Sequence, residues 1–255
     1  MSPEIKERTS LLSVRSKKDP IVKIKAVKPS KPFIIREIKP ATINQNKAFK
    51  SYNKDKNLLF HGMAGTGKSF ISIYLALEEI MDQHDPSPYE KLIIVRSVVP
   101  TRDVGFLPGS VVEKAQEYEA PYESIAVELF GVHDAYKQLK NRELLQFKTT
   151  SFIRGITLNN SIILVDEIQN MDADELRSII TRTGDNCKII FSGDFRQSDF
   201  RGRDKEYKHD VVSFMEIIKT MPNDFDIIEF GIDDIVRSKL VKNFLIAEDN
   251  YLKNV

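Results

Sequence analysis

The sequence has a single cysteine, and it lacks long apolar runs. Cys187 alone cannot form an intrachain disulfide, and one thiol excludes a zinc site built from several cysteines. The longest apolar runs, such as residues 162–165, are far too short to cross a membrane. Residues 1–8 contain no apolar core of the kind that a secretory signal has. We therefore expect a cytoplasmic protein with no membrane partner, in which Cys187 is a buried side chain and not a nucleophile.

Net charge is almost absent too, at +1 over 255 residues, but the charges are unevenly distributed. Residues 1–56 hold 15 Lys and Arg against 5 Asp and Glu, which leaves a net −9 for the rest of the chain. A basic start on an acidic body favours contact with nucleic acid or another acidic surface, and a solubilising tail is the alternative. We predict a basic, partly flexible arm over residues 1–32. Because the chain length suits one α/β domain, we predict a single domain over residues 33–255.

One glycine-rich segment carries the strongest functional signal. The segment from Gly62 to Ser69 satisfies G-x-x-x-x-G-K-[ST], the sequence of a phosphate-binding loop. An apolar run precedes it, as a buried strand would, and an amphipathic helical pattern follows it. In such loops backbone N–H groups surround phosphate oxygens, Lys68 would reach the β- and γ-phosphates, and Ser69 would bind Mg²⁺. We therefore predict a nucleoside triphosphate site formed by eight consecutive residues: Gly62, Met63, Ala64, Gly65, Thr66, Gly67, Lys68 and Ser69.

Two later segments each consist of a strand-like apolar run that ends in polar residues. The first run is followed by Asp166 and Glu167. In P-loop ATPases an acid at such a strand end holds Mg²⁺, and an adjacent acid can polarise the attacking water as a general base. We therefore assign Asp166 to the metal and Glu167 to the water. The second run ends at Gly193, and the amide of Gln197 beyond it can donate to a γ-phosphate and accept from water.

Strand-like and helix-like segments alternate after the first strand, which predicts a doubly wound α/β fold with a parallel sheet covered on both faces. Besides the run before the glycine loop, strands are predicted at residues 91–96, 151–154, 161–165, 188–192 and 226–230. Helices are predicted at residues 112–130, 135–145, 173–183, 211–221 and 235–245. Residues 101–148 are longer than a simple crossover requires, so we expect an insertion packed beside the sheet.

These motifs together resemble those of a known family. The glycine loop, the run Asp166-Glu167-Ile168-Gln169-Asn170 and the run Gly193-Asp194-Phe195-Arg196-Gln197 are similar to the motor core of superfamily 1 helicases. They are more similar still to the PhoH family of ATPases. Further similarities lie at residues 44–45, 95–100, 105–109, 152–158 and 234–241. The resemblance implies a three-layer RecA-like P-loop NTPase with a mostly parallel sheet, and the basic N-terminal extension is not part of it.

The resemblance also implies roles for residues outside the three motifs. Gln45 would recognise adenine, which makes ATP the expected nucleotide, because one amide can bond a donor and an acceptor on a base edge. Arg237 would be an arginine finger that stabilises the transferring phosphoryl group, in its own subunit or in a neighbour. Arg96 and Arg154 would contact phosphates of a nucleic-acid strand, or would pair structurally between strands. The sequence departs from the family pattern at Ile156, Ile168 and Ser238.

The leading functional hypothesis is an ATPase that uses ATP and Mg²⁺ and acts on single-stranded RNA or DNA. A single motor lobe leaves one side of its nucleotide open to water, so we expect a homo-oligomeric ring, a hexamer, in which a neighbour completes the site. A P-loop kinase for a small molecule is one rival, and Glu167 disfavours it because it suits water activation. A module that holds ATP without turnover is another, and the intact Lys68, Asp166 and Glu167 disfavour it.

Overall fold

The computed structural model describes residues 33–54, 56–97, 111–194 and 204–253. The predicted basic arm, the run at residues 105–109 and Gln197 lie outside these ranges. The strands are β1 (Asn57–Gly62), β2 (Lys91–Arg96), β3 (Leu145–Thr149), β4 (Ser161–Val165), β5 (Cys187–Gly193) and β6 (Phe225–Phe230). The α-helices are α1 (Ile43–Tyr52), α2 (Lys68–Met81), α3 (Val111–Phe130), α4 (Ala135–Asn141), α5 (Ala173–Thr181), α6 (Asp204–Lys219) and α7 (Lys239–Lys253).

The six strands of the described chain form one sheet in the order β3-β2-β4-β5-β1-β6, and every adjacent pair is parallel. Strand β5 therefore lies between β1, which precedes the glycine loop, and β4, which ends before Asp166. Because all strands run in the same direction, their carboxyl ends meet at one edge of the sheet, where α/β folds bind ligands. This topology confirms the predicted α/β fold with a RecA-like parallel sheet.

Each face of the sheet has its own hydrophobic core. Leu58 and Phe60 belong to the core on one face, and Leu59 between them belongs to the core on the other, because side chains alternate along a strand. Helices α1 to α4 contribute buried residues to the first core, and α5 and α6 contribute to the second. The three layers hold the carboxyl ends of β1, β2, β4 and β5 side by side.

Two predictions near β3 are wrong. The helix predicted at residues 135–145 ends at Asn141, and residues 151–154 form no strand, because the chain enters a 3₁₀ turn at Thr150–Phe152. Glu143, with a φ of 61°, reverses the chain between α4 and β3. The three central residues of this edge strand are only partly buried, so it lacks the apolar run that marks the inner strands. The described part of the expected insertion therefore supplies α3, α4 and an edge strand of the sheet.

The last predicted helix, residues 235–245, begins too early. The structure has a 3₁₀ turn at Ile232–Asp234 and starts α7 only at Lys239. The intervening backbone is held by another segment, because Val236 N donates to Gly65 O at 3.1 Å. The preceding helix, predicted at residues 211–221, starts earlier and spans Asp204–Lys219. A helical pattern in the sequence does not reveal this contact with the glycine loop.

Two expectations drawn from what the sequence lacks concern membranes and the thiol. In the described ranges, no helix combines the length and the apolar character that crossing a membrane requires. Cys187 is half-buried at the start of β5, and not fully buried as predicted. Its Sγ donates to Leu158 O at 3.1 Å, which gives the thiol a local partner in the structure.

Candidate nucleotide-binding site

The glycine loop joins the end of β1 to the start of α2. Gly62 has a φ of 115°, and a Cβ atom there would lie 2.1 Å from Phe230 O, so only glycine fits. Gly67, with a φ of 84°, is the N-cap residue of α2. Since the first N–H groups of a helix have no partner within it, the loop and the helix start together present donors to an anion.

Lys68, the first residue of α2, is buried with its ammonium group folded onto the loop. Its Nζ donates to Gly62 O at 2.9 Å and to Met63 O at 2.7 Å. Burial lowers the pKa of Lys68, and the nearby carboxylates of Asp194 and Asp166 act in the opposite direction. The ammonium group therefore lies inside the loop, where phosphate oxygens would be stronger acceptors than the two carbonyls.

Asp166 is held by hydrogen bonds from two different helices. Ser69 Oγ donates to Asp166 Oδ1 at 2.9 Å, and Tyr122 of α3 donates to Asp166 Oδ2 at 3.0 Å. Burial and the charge of Asp166 raise the pKa of the Tyr122 hydroxyl, so it stays protonated and donates. Mg²⁺ is usually bound through one or two carboxylates plus substrate phosphates and water. The adjacent oxygens of Ser69 and Asp166 fit such a site.

Glu167 leaves β4 with its backbone in the left-handed region, at a φ of 56°. Gln169 Nε2 donates to the Glu167 carboxylate, and Gln169 Oε1 accepts from the backbone N–H of Asp194 at 3.1 Å. Burial raises the pKa of Glu167, as does the charge of Asp166, while the positive charge of Arg96 lowers it. A carboxylate with a raised pKa accepts protons more readily, which suits a general base.

Gln45 reaches the glycine loop from α1. Its Nε2 donates to Thr66 O at 3.0 Å, and its Oε1 accepts from Ala41 N at 2.7 Å. Both ends of the amide are therefore bonded to backbone groups. Adenine recognition by Gln45 requires these bonds to be exchanged, and it stays a prediction.

Arg237 lies beside the glycine loop of its own chain. The backbone N–H of Val236 bonds to Gly65 O, and a Cβ atom at Gly65 would lie 2.9 Å from Arg237 Cγ. The Arg237 side chain is exposed and borders the same cavity as Lys68. The role of Arg237 as an arginine finger, in its own subunit or in a neighbour, stays a prediction.

The two arginines predicted to contact nucleic acid lie in different places. Arg96 ends β2 and borders the cavity that contains Lys68 and Glu167, with its Cζ atom 5.5 Å from the centroid of the Tyr118 ring. Arg154 is exposed in the turn that follows β3. The structure therefore brings Arg96 into the candidate nucleotide site and leaves Arg154 on the surface.

The predicted residues converge on one cavity of about 700 Å³ at the carboxyl edge of the sheet. The predicted residues that border it are Gln45, Ala64, Gly65, Thr66, Gly67, Lys68, Ser69, Arg96, Asp166, Glu167 and Arg237. Gly62, Met63 and Arg154 do not border it. Gln197 lies outside the described residues, so its role stays a prediction.

Tyr122 and Gln169 hold residues of the site in place, but the sequence predicts no role for either of them, although Gln169 lies in the run 166–170 that resembles the family. Tyr122 lies in α3 at helical spacing with the buried residues Ala126 and Leu129, so its pattern is that of a core residue. Nothing local in the sequence distinguishes it from them. Gln169 follows Glu167 by two residues, and this short spacing from a candidate base was the available signal.

The fold and the site define a P-loop nucleotide-binding protein with a RecA-like sheet. The sequence matches the family model described as "PhoH-like protein" over residues 37–248. The chain therefore belongs to the PhoH family, which confirms the resemblance seen in its motifs.

Relatives from several bacteria are similar over most of this chain. The PhoH-like protein of Mycobacterium leprae (strain TN) is 27% identical over 217 residues, which cover 85% of this chain and 60% of the relative. The PhoH-like protein of Bacillus subtilis (strain 168) is 27% identical over 215 residues, which cover 84% of this chain and 65% of that relative. Protein PhoH of Escherichia coli (strain K12) is 30% identical over 201 residues, covering 76% and 53%. The chain thus spans between about half and two thirds of the length of these relatives.

Two solved structures show a distant similarity to this chain. A large terminase from a thermophilic bacteriophage is 13% identical, covers 81% of this chain and 50% of its own, and gives a TM-score of 0.43. A SWI2/SNF2 ATPase core of Sulfolobus solfataricus in complex with dsDNA is 10% identical and also gives a TM-score of 0.43. The similarity covers 78% of this chain and 46% of that one.

Proposed function

We propose that this chain is a cytoplasmic ATPase that uses Mg²⁺ and couples ATP hydrolysis to the binding or remodelling of single-stranded RNA or DNA. The observation that carries the proposal is the convergence of Lys68, Ser69, Asp166 and Glu167 on one cavity. Phosphoryl transfer by P-loop enzymes requires a phosphate cradle, a metal site and a group that positions the nucleophile. The cavity offers a side chain for each requirement, and we place the ATPase domain at residues 33–255.

Each residue has a defined task in the proposed reaction. Lys68 neutralises charge on the β- and γ-phosphates. Mg²⁺, when bound by Ser69 and Asp166, supplies further positive charge to the phosphate oxygens. Glu167 accepts a proton from the attacking water, whose oxygen bonds to the terminal phosphorus while the bond to the bridging oxygen of ADP breaks.

A kinase and a non-hydrolysing module remain the alternatives, and the fate of the terminal phosphate separates them. The experiment incubates the chain with Mg²⁺, ATP labelled on its terminal phosphate, and a panel of small-molecule acceptors. We expect the label to appear as inorganic phosphate whether or not acceptors are present. Label on an acceptor would favour the kinase, and label that stays on bound ATP would favour the module.

Tyr122 should determine how tightly the site binds Mg²⁺. Tyr122→Phe removes the hydrogen bond to Asp166 Oδ2 without removing the ring from the core. We expect the Mg²⁺ concentration for half-maximal hydrolysis to rise about 10- to 100-fold, the usual cost of losing such a support of a metal ligand. A Mg²⁺ titration of phosphate release at saturating ATP measures this shift.

The matched control for this substitution is Tyr136→Phe. Tyr136 is also buried and donates to a carboxylate, at 2.6 Å from Glu119 Oε2, but it does not border the cavity. We expect an unchanged Mg²⁺ requirement in this variant. The same Mg²⁺ requirement in Tyr122→Phe and wild type would show that Mg²⁺ binding by Asp166 does not depend on this hydrogen bond.

Gly193 should be required where β5 passes the turn that carries Gln169. A Cβ atom there would lie 2.7 Å from Ile168 Cγ1 and 2.8 Å from Gln169 Oε1. We expect Gly193→Ala to lower the free energy of unfolding by about 1–3 kcal/mol, because overpacking displaces buried atoms. Hydrolysis should also slow, since Gln169 moves relative to Glu167. Chemical denaturation and phosphate release measure the two effects.

The control for Gly193 is Gly231→Ala. A Cβ atom at Gly231 meets no atom within 4 Å. We expect its free energy of unfolding to change little or to rise, as it does where alanine fits the backbone. Equal destabilisation by the two substitutions would contradict a packing constraint specific to Gly193.

A surface turn after β3 supports the proposed contact with single strands. Phe152 is 61% exposed, and Arg154 and Ile156 are exposed beside it. Exposed aromatic rings that stack on bases, together with arginines that contact phosphates, are typical of single-strand binding. The turn is also tied to the site, because Thr150 and Ser97, which follows Arg96, both donate to Glu175.

Substitutions in this turn should weaken single-strand binding in two distinguishable ways. Phe152→Ala should cost about 1–3 kcal/mol of binding free energy, the value of one stacked base. Arg154→Ala should weaken binding to all sequences by a similar factor. It should also reduce the slope of the logarithm of affinity against the logarithm of salt concentration by about one. Fluorescence anisotropy with single-stranded RNA and DNA at several salt concentrations measures both.

Two exposed residues elsewhere are controls for the turn. Ile217→Ala removes an exposed apolar side chain from α6, and Arg177→Ala removes a guanidinium from α5. We expect neither to change single-strand affinity. Loss of affinity in the controls but not in the turn variants would show that single strands bind elsewhere and not at residues 152–156.

The ring of subunits, a hexamer, also remains our proposal. Leu240, Phe244 and Tyr251 are exposed on one face of α7, at spacings that bring them together on a helix, and such a face supports contact between copies. Since Arg237 borders its own cavity, the ring is not needed to supply this arginine. Mass measurement in ATP tests the assembly, and a purely monomeric chain would contradict it.

A further inference from the structure

Arg96 occupies a position that its predicted contact with nucleic acid does not explain. Strand β2 pairs with β4 so that Val95 lies opposite Val165, and Asp166 N donates to Val95 O at 2.9 Å. Arg96 is therefore the residue next to Val95, whose carbonyl group holds the backbone N–H of Asp166. Its side chain borders the cavity that also contains Lys68.

The Nε atom of the Arg96 guanidinium group is not satisfied by the part of the chain that the structure describes. This atom is buried and has no hydrogen-bond partner among the described residues. The Tyr118 ring lies near the group, with its centroid 5.5 Å from Cζ, and this cation–π contact provides no oxygen acceptor for the N–H groups. A buried donor without an acceptor is costly, and in native proteins such a group usually has a functional explanation.

A phosphate group would supply the missing acceptors. Guanidinium groups bind phosphate oxygens through two parallel N–H bonds, and they stay charged in buried surroundings. The position of Arg96 beside Asp166 and Glu167 is on the side of the cavity where, under the proposed function, the metal and the attacking water act. Arg237 differs, because its side chain contacts the tip of the glycine loop at Gly65.

We propose that Arg96 is a further catalytic residue, which binds the terminal phosphate of ATP within its own chain and distinguishes ATP from ADP. This inference rests on the proposed function, since it names the residue that recognises the reacting group in the same cavity. Two arginines, Arg96 and Arg237, then contribute positive charge without a neighbouring subunit. Arg154 alone of the two predicted nucleic-acid arginines keeps that role.

The test compares binding of ADP and of a non-hydrolysable ATP analogue, each with Mg²⁺, to the full chain and to Arg96→Gln. We expect the substitution to weaken binding of the analogue about 10- to 100-fold, the range for hydrogen bonds to a charged group, and to leave ADP affinity within about twofold. Arg96→Lys keeps one positive charge but loses the paired donors, so it should fall between wild type and Arg96→Gln.

Arg182→Gln is the matched control. Its Nε is also buried without a partner among the described residues, but Arg182 caps the end of α5 and does not border the cavity. We expect its affinities for both nucleotides to equal those of wild type. A similar loss in the control would show that removing a partly buried guanidinium acts through the fold.

Two results would overturn the inference. Equal weakening of ADP and of the analogue by Arg96→Gln would assign Arg96 to the structure of the cavity, and no weakening of either would remove it from the site. If circular dichroism shows that Arg96→Gln does not fold, Arg96→Lys replaces it. The affinities of Arg96→Lys for ADP and for the ATP analogue then decide in the same way. A wild-type chain that binds ATP but releases no phosphate would defeat the proposed function, while the comparison of nucleotides still reports on Arg96.

Discussion

Lys68→Ala should abolish ATP hydrolysis. The buried ammonium of Lys68 is already directed into the glycine loop by Gly62 O and Met63 O, so its position is fixed before a nucleotide arrives. Preorganised charge of this kind is worth far more than charge that must reorient during the reaction. We expect phosphate release to fall by at least about 100- to 1000-fold, the effect of removing one such stabilising group.

The control for Lys68 is the buried lysine at the opposite end of the sheet. Lys188 lies near the start of β5, where its Nζ donates to Tyr52 O at 3.2 Å. Lys188→Met should lower stability but leave the turnover of the folded protein intact. If Lys68→Ala instead hydrolysed ATP at the wild-type rate, the assignment of residues 62–69 as the phosphate loop would be wrong.

Glu167→Gln should bind ATP and hydrolyse it at least about 100-fold more slowly, the lower end of general-base contributions. The amide is nearly the same size as the carboxylate, but it cannot accept a proton from water. Gln169 can still donate to the side-chain oxygen, so the turn after β4 should keep its shape. Nucleotide binding and single-turnover phosphate release, measured on the same preparation, separate the two properties.

A buried glutamate outside the cavity provides the comparison. Glu119 accepts hydrogen bonds from Tyr136 and from Lys140, between α3 and α4. Glu119→Gln should weaken this contact and leave hydrolysis unchanged once the protein is folded. Loss of ATP binding in Glu167→Gln would point to a metal-holding or structural role for Glu167 and not to a base.

The parts of the site that are continuous in sequence could be predicted from sequence. The glycine loop and the acids after β4 are local signals, since each needs only a strand end and the residues beyond it. Strand β3 could not be found in this way, because an edge strand with three partly buried residues has no apolar run. Its true position depends on Glu143, whose left-handed backbone ends the helical pattern.

The contacts that support the site could not be predicted from the sequence, because they join elements that are far apart along the chain. Tyr122 reaches Asp166 from a helix whose pattern shows only packing, and the two residues are 44 positions apart. The family resemblance assigns Arg96 to nucleic acid or to structural pairing, and only the position of β2 beside β4 brings it to the cavity. Tertiary packing decides such contacts, and a single sequence carries no signal for them.

The most direct test of the whole account is steady-state phosphate release by the wild-type chain in ATP and Mg²⁺, with and without single-stranded RNA or DNA. The account predicts measurable release that single strands increase, with the increase lost at high salt as phosphate contacts weaken. Tight ATP binding with no release of phosphate, in the presence or absence of either nucleic acid, would contradict it.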